Sequence, residues 1–172
     1  MKKNIVLAGM LAAMVFVATR FLQVPIVGVG YVHMGDAVVY LAAALLPTPY
    51  AMASAAVGAG LADVLSPFAS YAPFTVVIKA VMVLAFTAKK ERLLCRRNAV
   101  APLLAGIIGV AGYYVTGVAL LCFAGNKFAI STVEAVFTLP FNAIQEVVGG
   151  VAFVLLAVAL DRMNIKKRLS RM

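Results

Sequence analysis

A chain of 172 residues that is 65% hydrophobic and 12% charged, with a mean hydropathy of +1.05, has too little polar surface to cover a water-facing exterior. Lipid is therefore its expected solvent, and composition alone argues against a soluble globular enzyme. The net charge of +9 does not point to nucleic acid, because contacts to a phosphate backbone need one continuous basic face. Here twelve of the fifteen cations are gathered in three places: Lys2 and Lys3; Lys89, Lys90, Arg92, Arg96 and Arg97; and Arg162, Lys166, Lys167, Arg168 and Arg171.

In chain order, the hydrophobic runs predict six membrane segments, from Asn4 to Leu22, Met34 to Leu46, Tyr50 to Leu65, Pro73 to Ala88, Ala99 to Phe123 and Phe137 to Leu160. The first imitates a signal peptide, with two lysines ahead of an apolar stretch, but the stretch continues through Phe21 and Leu22, so cleavage is not expected. The second and third are short for a bilayer, unless the second starts earlier, near Val27. Pro47-Thr48-Pro49 separates them as a tight turn. An even count puts both ends on one side, and with the N-terminus inside all three basic clusters are inside as well. The expected fold is thus all-α: a single polytopic membrane domain over residues 1–172 with six transmembrane helices and cytoplasmic termini. Cys95 and Cys122 then lie on opposite sides of the membrane and cannot pair, and no cysteine or histidine spacing suits a metal.

This topology places three connectors outside: Gln23 to His33, Ser66 to Ala72, and Gly125 to Thr138. The polar and aromatic residues near them converge on one outer face. Tyr71, Tyr113, Tyr114, Asn142 and Gln145 offer ring faces and amide hydrogen bonds to a flat heterocycle, with His33 at the lip of the first connector. Tyr71 alone reads equally well as an interfacial belt residue, and His33 as a capping or surface histidine.

Ionisable groups inside the segments carry more information, since a central charge costs about 2.5–3.5 kcal/mol on insertion scales. Lys79 and Glu146 either face a ligand cavity or are structural, as an ion pair with each other or with Lys79 as a snorkelling lysine. Asp36, after Gly35, reads as a helix N-cap, and Asp63 as a structural residue at the end of its helix. On the first segment Ala8 with Ala12, and Gly9 with Ala13, set small residues four apart, a spacing that lets another helix approach closely. No nucleophile elbow, paired-histidine metal motif or phosphate-cradling loop occurs, so neither catalysis nor ATP hydrolysis is expected of this chain, nor any cofactor or metal.

His33-Met34-Gly35-Asp36-Ala37, Gly58-Ala59-Gly60-Leu61-Ala62-Asp63, Tyr71-Ala72-Pro73-Phe74-Thr75 leading to Ile78-Lys79, and Pro140-Phe141-Asn142-Ala143-Ile144-Gln145 together resemble the substrate-binding S components of energy-coupling factor (ECF) vitamin transporters. The likeness runs over nearly the whole chain. It implies a multi-pass subunit of a bacterial plasma membrane that captures a small heterocyclic micronutrient at the outer face, such as pyridoxine, hydroxymethylpyrimidine or queuosine and its base queuine. Uptake would then be driven by a transmembrane T component and two ATPases. Under the resemblance His33, Tyr71, Thr75, Lys79, Tyr113, Tyr114, Asn142, Gln145 and Glu146 are the expected binding residues, and Ala8 and Ala12 the expected partner contact. The chain has no tryptophan, so any aromatic stacking falls to Tyr113, Tyr114 or Phe74. The alternative is a self-sufficient carrier in which Lys79 and Glu146 form a proton or ion path.

Overall fold

The computed structural model describes residues 2–26 and 30–171. It is mostly helical: α1 (Lys2–Phe21), a hairpin of β1 (Gln23–Ile26) and β2 (Gly30–His33), α2 (Gly35–Leu45), α3 (Thr48–Val64), a 3-10 turn (Ala69–Tyr71), α4 (Ala72–Val83), α5 (Arg96–Phe123), α6 (Phe128–Val136), α7 (Leu139–Arg162) and α8 (Ile165–Arg171). Three of these helices, α1, α5 and α7, are long and apolar enough to cross a membrane.

The short helices have a physical reason. With 11 residues, α2 rises only about 16 Å. Its residues 35–44 are all buried, and it packs against α1, α3 and α7, so its apolar surface meets protein on every side. Pro47 and Pro49 set the boundary with α3: Pro47 is extended at the N-cap, and Pro49 sits in the first turn, where a missing N–H goes unnoticed. Along α3, Gly58 lets α1 come close, since a Cβ there would meet the Val15 side chain at 2.7 Å. This approach uses one face of α1, with Ala8, Leu11, Val15 and Ala18 turned inward. Gly9, Met10, Ala13, Met14 and Val17 are on the outside.

At one end of the bundle the hairpin joins α1 to α2, with Val24 opposite Val32 and Pro25 opposite Tyr31. The Met34 N–H donates to the Leu22 carbonyl at 3.1 Å and closes its base. The sequence reading had a plain connector here, and the earlier start for the second segment, near Val27, falls outside the described residues. In the described part, residues 30–33 are strand and the helix begins at Gly35. Two further elements, α6 and α8, occupy stretches read as connector and tail, and α4 stops at Val83 rather than at Ala88.

The opposite end carries the basic clusters and is held by side chains rather than by secondary structure. Asn98 accepts from the Thr87 N–H at 2.8 Å and donates to the carbonyls of Thr87 and Leu93 at 2.9 and 2.8 Å. Asp161 accepts from the N–H groups of Leu93 and Leu94 at 2.7 and 3.0 Å. Arg97 donates to the carbonyls of Leu84 and Ala85 at the end of α4, and Lys166 to those of Ala88 and Lys90. The connector between α4 and α5 is therefore a strap pinned to α5, α7 and α8. Asn98 is fully buried, so Asn98→Ala strands three backbone groups and is expected to destabilise the fold by about 3 kcal/mol or more. Thermal unfolding in detergent measures this; an unchanged midpoint would show that the strap contributes nothing. Cys95 at the N-cap of α5 and Cys122 in its last turn are about 40 Å apart, and both are free thiols.

Candidate functional site

The hairpin lies over a small cleft of about 80 Å³. Ile26, Tyr31 and His33 of the hairpin form its roof, and Asp63 at the end of α3 one wall. Phe68 and Tyr71 come from the connector between α3 and α4, and Tyr113 from α5. Thr138, Phe141, Asn142 and Gln145 come from the start of α7, where Pro140 in the first turn lets the helix begin cleanly.

Hydrogen bonds fix the roof. The Tyr31 hydroxyl donates to Asp63 Oδ1 at 2.7 Å, and burial together with that carboxylate pushes the phenol's pKa up. The Gly35 N–H donates to His33 Nδ1 at 3.1 Å, leaving the proton of the neutral ring on Nε2. Burial pushes the imidazole down to about 4, so His33 is neutral at physiological pH. Tyr31 also packs against His33 and Phe68, with ring centroids 5.6 and 5.5 Å apart.

A polar chain runs from this roof into the bundle. The His33 N–H donates to Gln145 Oε1 at 3.3 Å, and Gln145 Nε2 donates to Asp36 Oδ2 at 2.8 Å. The other Asp36 oxygen is ion-paired with Lys79. Beyond it, Glu146 Oε1 lies 4.0 Å from the Lys79 ammonium, close enough for attraction but outside hydrogen-bond reach, while Oε2 accepts from the Tyr40 hydroxyl. Lys79 stands 5.1 Å from the Tyr113 ring centre, a cation–π contact that holds this ring at the floor of the cleft. The Tyr113 hydroxyl donates to Thr75 at 3.3 Å. Two carboxyl groups and one ammonium thus share a buried site, with Lys79 1% exposed and Asp36 fully buried.

The predicted binding residues separate into layers. His33, Tyr71, Tyr113, Asn142 and Gln145 line the cleft. Thr75, Lys79 and Glu146 do not; they lie behind that lining, and Lys79 takes Asp36 as its nearest carboxylate rather than Glu146. Tyr114 faces elsewhere, with its hydroxyl on the Thr132 carbonyl of α6 at 3.5 Å and its ring in a lateral groove between α5 and α7. Asp36 is not the N-cap read from the sequence: Met34 holds that position and makes no side-chain cap. Sequence reasoning passed over Tyr31, Phe68, Thr138 and Phe141, though aromatics in two outer connectors were a usable signal. Of the expected partner contact, Ala8 is turned into the bundle at 9% exposure and Ala12 is half-buried.

A bundle of apolar helices with a capped, aromatic- and amide-lined cleft at one end is a membrane-embedded binding protein. The family model for the S component of ECF-type riboflavin transporters matches residues 1–162, and the chain belongs to that family. This is a family of transporter subunits, not of enzymes, and the role it supports is that of a substrate-binding subunit. S components of ECF transporters bind small vitamin-like substrates and work with a T component and ATPases. Among solved structures the chain is similar in fold to the S component of a bacterial ECF transporter, with a TM-score of 0.71 at 22% identity, covering 94% of this chain and 97% of that one. No curated protein sequence matches.

Proposed function

We propose that the cleft beneath the hairpin captures a neutral, flat heteroaromatic micronutrient at the outer face of a bacterial plasma membrane. A T component and two ATPases then drive its uptake. In this reading residues 1–172 form one membrane domain crossing the bilayer six times: α1, α5 and α7 span it outright, and α2, α3 and α4 complete the bundle in their shelter. The basic end, with both termini, faces the cytoplasm, as the enrichment of Lys and Arg there supports.

The observation that carries the reading is the cleft lining. Tyr31, Phe68, Tyr71, Tyr113 and Phe141 offer ring faces, and Asn142 and Gln145 offer amides. Among the described residues no arginine or lysine lines the cleft; Lys79 is held behind Tyr113, and His33 is neutral. A ligand phosphate would find Asp63 and no cation, so the free vitamin is favoured over its phosphate ester. The volume also bears on size. About 80 Å³ is well below the roughly 300 Å³ or more of typical ligand pockets, so the hairpin must lift for any vitamin. A single ring such as pyridoxine or hydroxymethylpyrimidine requires less lifting than the three fused rings of riboflavin, for which the family is named.

The test is a binding titration of purified protein with riboflavin, pyridoxine, hydroxymethylpyrimidine and queuine, alongside the phosphate esters of the first three. Saturable binding of one of the first three compounds, all neutral, is expected, with its ester weaker by about a hundredfold or more, the scale of leaving a charge unpaired in a closed site, and with queuine, whose secondary amine is protonated, as the cationic comparison. No saturable binding, or an ester that binds more tightly, would overturn the reading.

A further inference from the structure

We propose that the outer surface formed by α5 and α7 holds one anionic phospholipid, its acyl chain in the groove between the helices and its phosphate at the basic end. The groove encloses about 760 Å³ and is apolar apart from Tyr114 near one end and Glu146 at the floor, whose carboxyl group is turned into the bundle toward Tyr40 and Lys79. Its walls are two ridges of exposed side chains, Leu103 and Ile107 on α5 and Val147, Val151 and Leu155 on α7. Its depth comes from Gly106 and Gly150 on the floor: a Cβ at Gly150 would meet the Pro102 Cβ at 3.1 Å, and one at Gly106 the Glu146 Cβ at 3.2 Å.

The helices approach closely along this floor and leave an elongated channel between their ridges. A partner helix, about 10–12 Å across, would ride on the ridges and leave the floor empty. From Ala99 to Tyr114 the groove follows α5 for about 22 Å, more than the roughly 15 Å of one leaflet's hydrocarbon.

The basic end supplies the headgroup. On α7, Val154 lines the groove, and Val158 and Arg162 follow it at steps of four residues, on the same helix face. Val158 and Arg162 line a second pocket, of about 410 Å³, with Arg92, Lys166 and Lys167. Asp161 and Glu91 also line it, but the Asp161 oxygens accept from two backbone N–H groups and Glu91 lies 4.0 Å from Lys167. None of the ion pairs among the described residues engages Arg92 or Arg162, and both side chains are exposed. An apolar channel that opens on two such arginines is complementary to an acyl chain ending in a phosphate diester.

Native mass spectrometry of the purified protein, supplied with equal dioleoyl phosphatidylglycerol and dioleoyl phosphatidylcholine, tests this. One retained phosphatidylglycerol is expected, preferred by about thirtyfold, or about fivefold for each arginine. Arg92→Gln with Arg162→Gln is expected to level the two lipids. Ala99→Phe, at an exposed position on the groove wall, is expected to remove the adduct with either. Equal retention by the wild type, a preference that survives the double glutamine variant, an adduct indifferent to Ala99→Phe, or a dimer of this chain through the groove would each overturn the proposal.

Discussion

Lys79→Met is expected to destabilise the protein by about 3–5 kcal/mol, because it leaves Asp36 charged and without its ion pair where no water reaches. For a domain of this size that is a fall in unfolding midpoint of about 6–20 °C. The decisive comparison is the double variant Lys79→Met with Asp36→Asn. Removing both charges abolishes the stranded carboxylate while Gln145 can still donate to the amide oxygen, so most of the loss should return. Circular dichroism followed through thermal unfolding in detergent reads both variants. A single variant as stable as the wild type would mean that the pair does not hold α2 to α4. A double variant that loses more than the single would mean that Asp36 matters for something other than Lys79.

The second large effect concerns the face of α1 that points away from the bundle. Gly9→Trp with Ala13→Trp is expected to reduce uptake by the assembled transporter to background while ligand affinity changes by less than about twofold, since small residues in lipid serve close helix approach. Both positions are exposed, and a Cβ at Gly9 meets nothing within 4 Å, so the substitutions leave the fold intact. Ala8→Trp, by contrast, forces an indole into the bundle and should unfold it, so it cannot report on a partner. Uptake assays beside binding titrations on the same variants separate the outcomes. Normal uptake by the Gly9 and Ala13 variants would remove this face from the partner surface.

The difference between Ala8 and Gly9 shows where sequence reasoning reached its limit. Both small-residue rows have the same spacing, and only the rotation of α1 against α3, set by Gly58 and Val15, decides which row is outside. The three long helices were legible because continuous apolar runs of that length have few other fates. The basic clusters were legible as clusters, but not the structural use of Arg97 and Lys166 in closing the strap. The cleft was half legible: Tyr71, Tyr113, Asn142 and Gln145 converge because several helices end near one another. The ion pair was not, since Asp36 and Lys79 are 43 residues apart and their meeting depends on which helices become neighbours. Nor was the hairpin, because strands of four residues, one containing a proline, carry too little alternation to be recognised.

The fully enclosed α2 has a consequence for how the chain enters the membrane during synthesis. A segment of 11 helical residues with an aspartate in its first turn is a poor candidate for insertion by itself. Its ion-pair partner, Lys79, emerges 43 residues later, and the amide of Gln145 after a further 66, the difference between separations of 109 and 43. The helix at the centre of the finished bundle is therefore among the last to be secured, and the early-made α1 has to shelter it until α4 and α7 arrive.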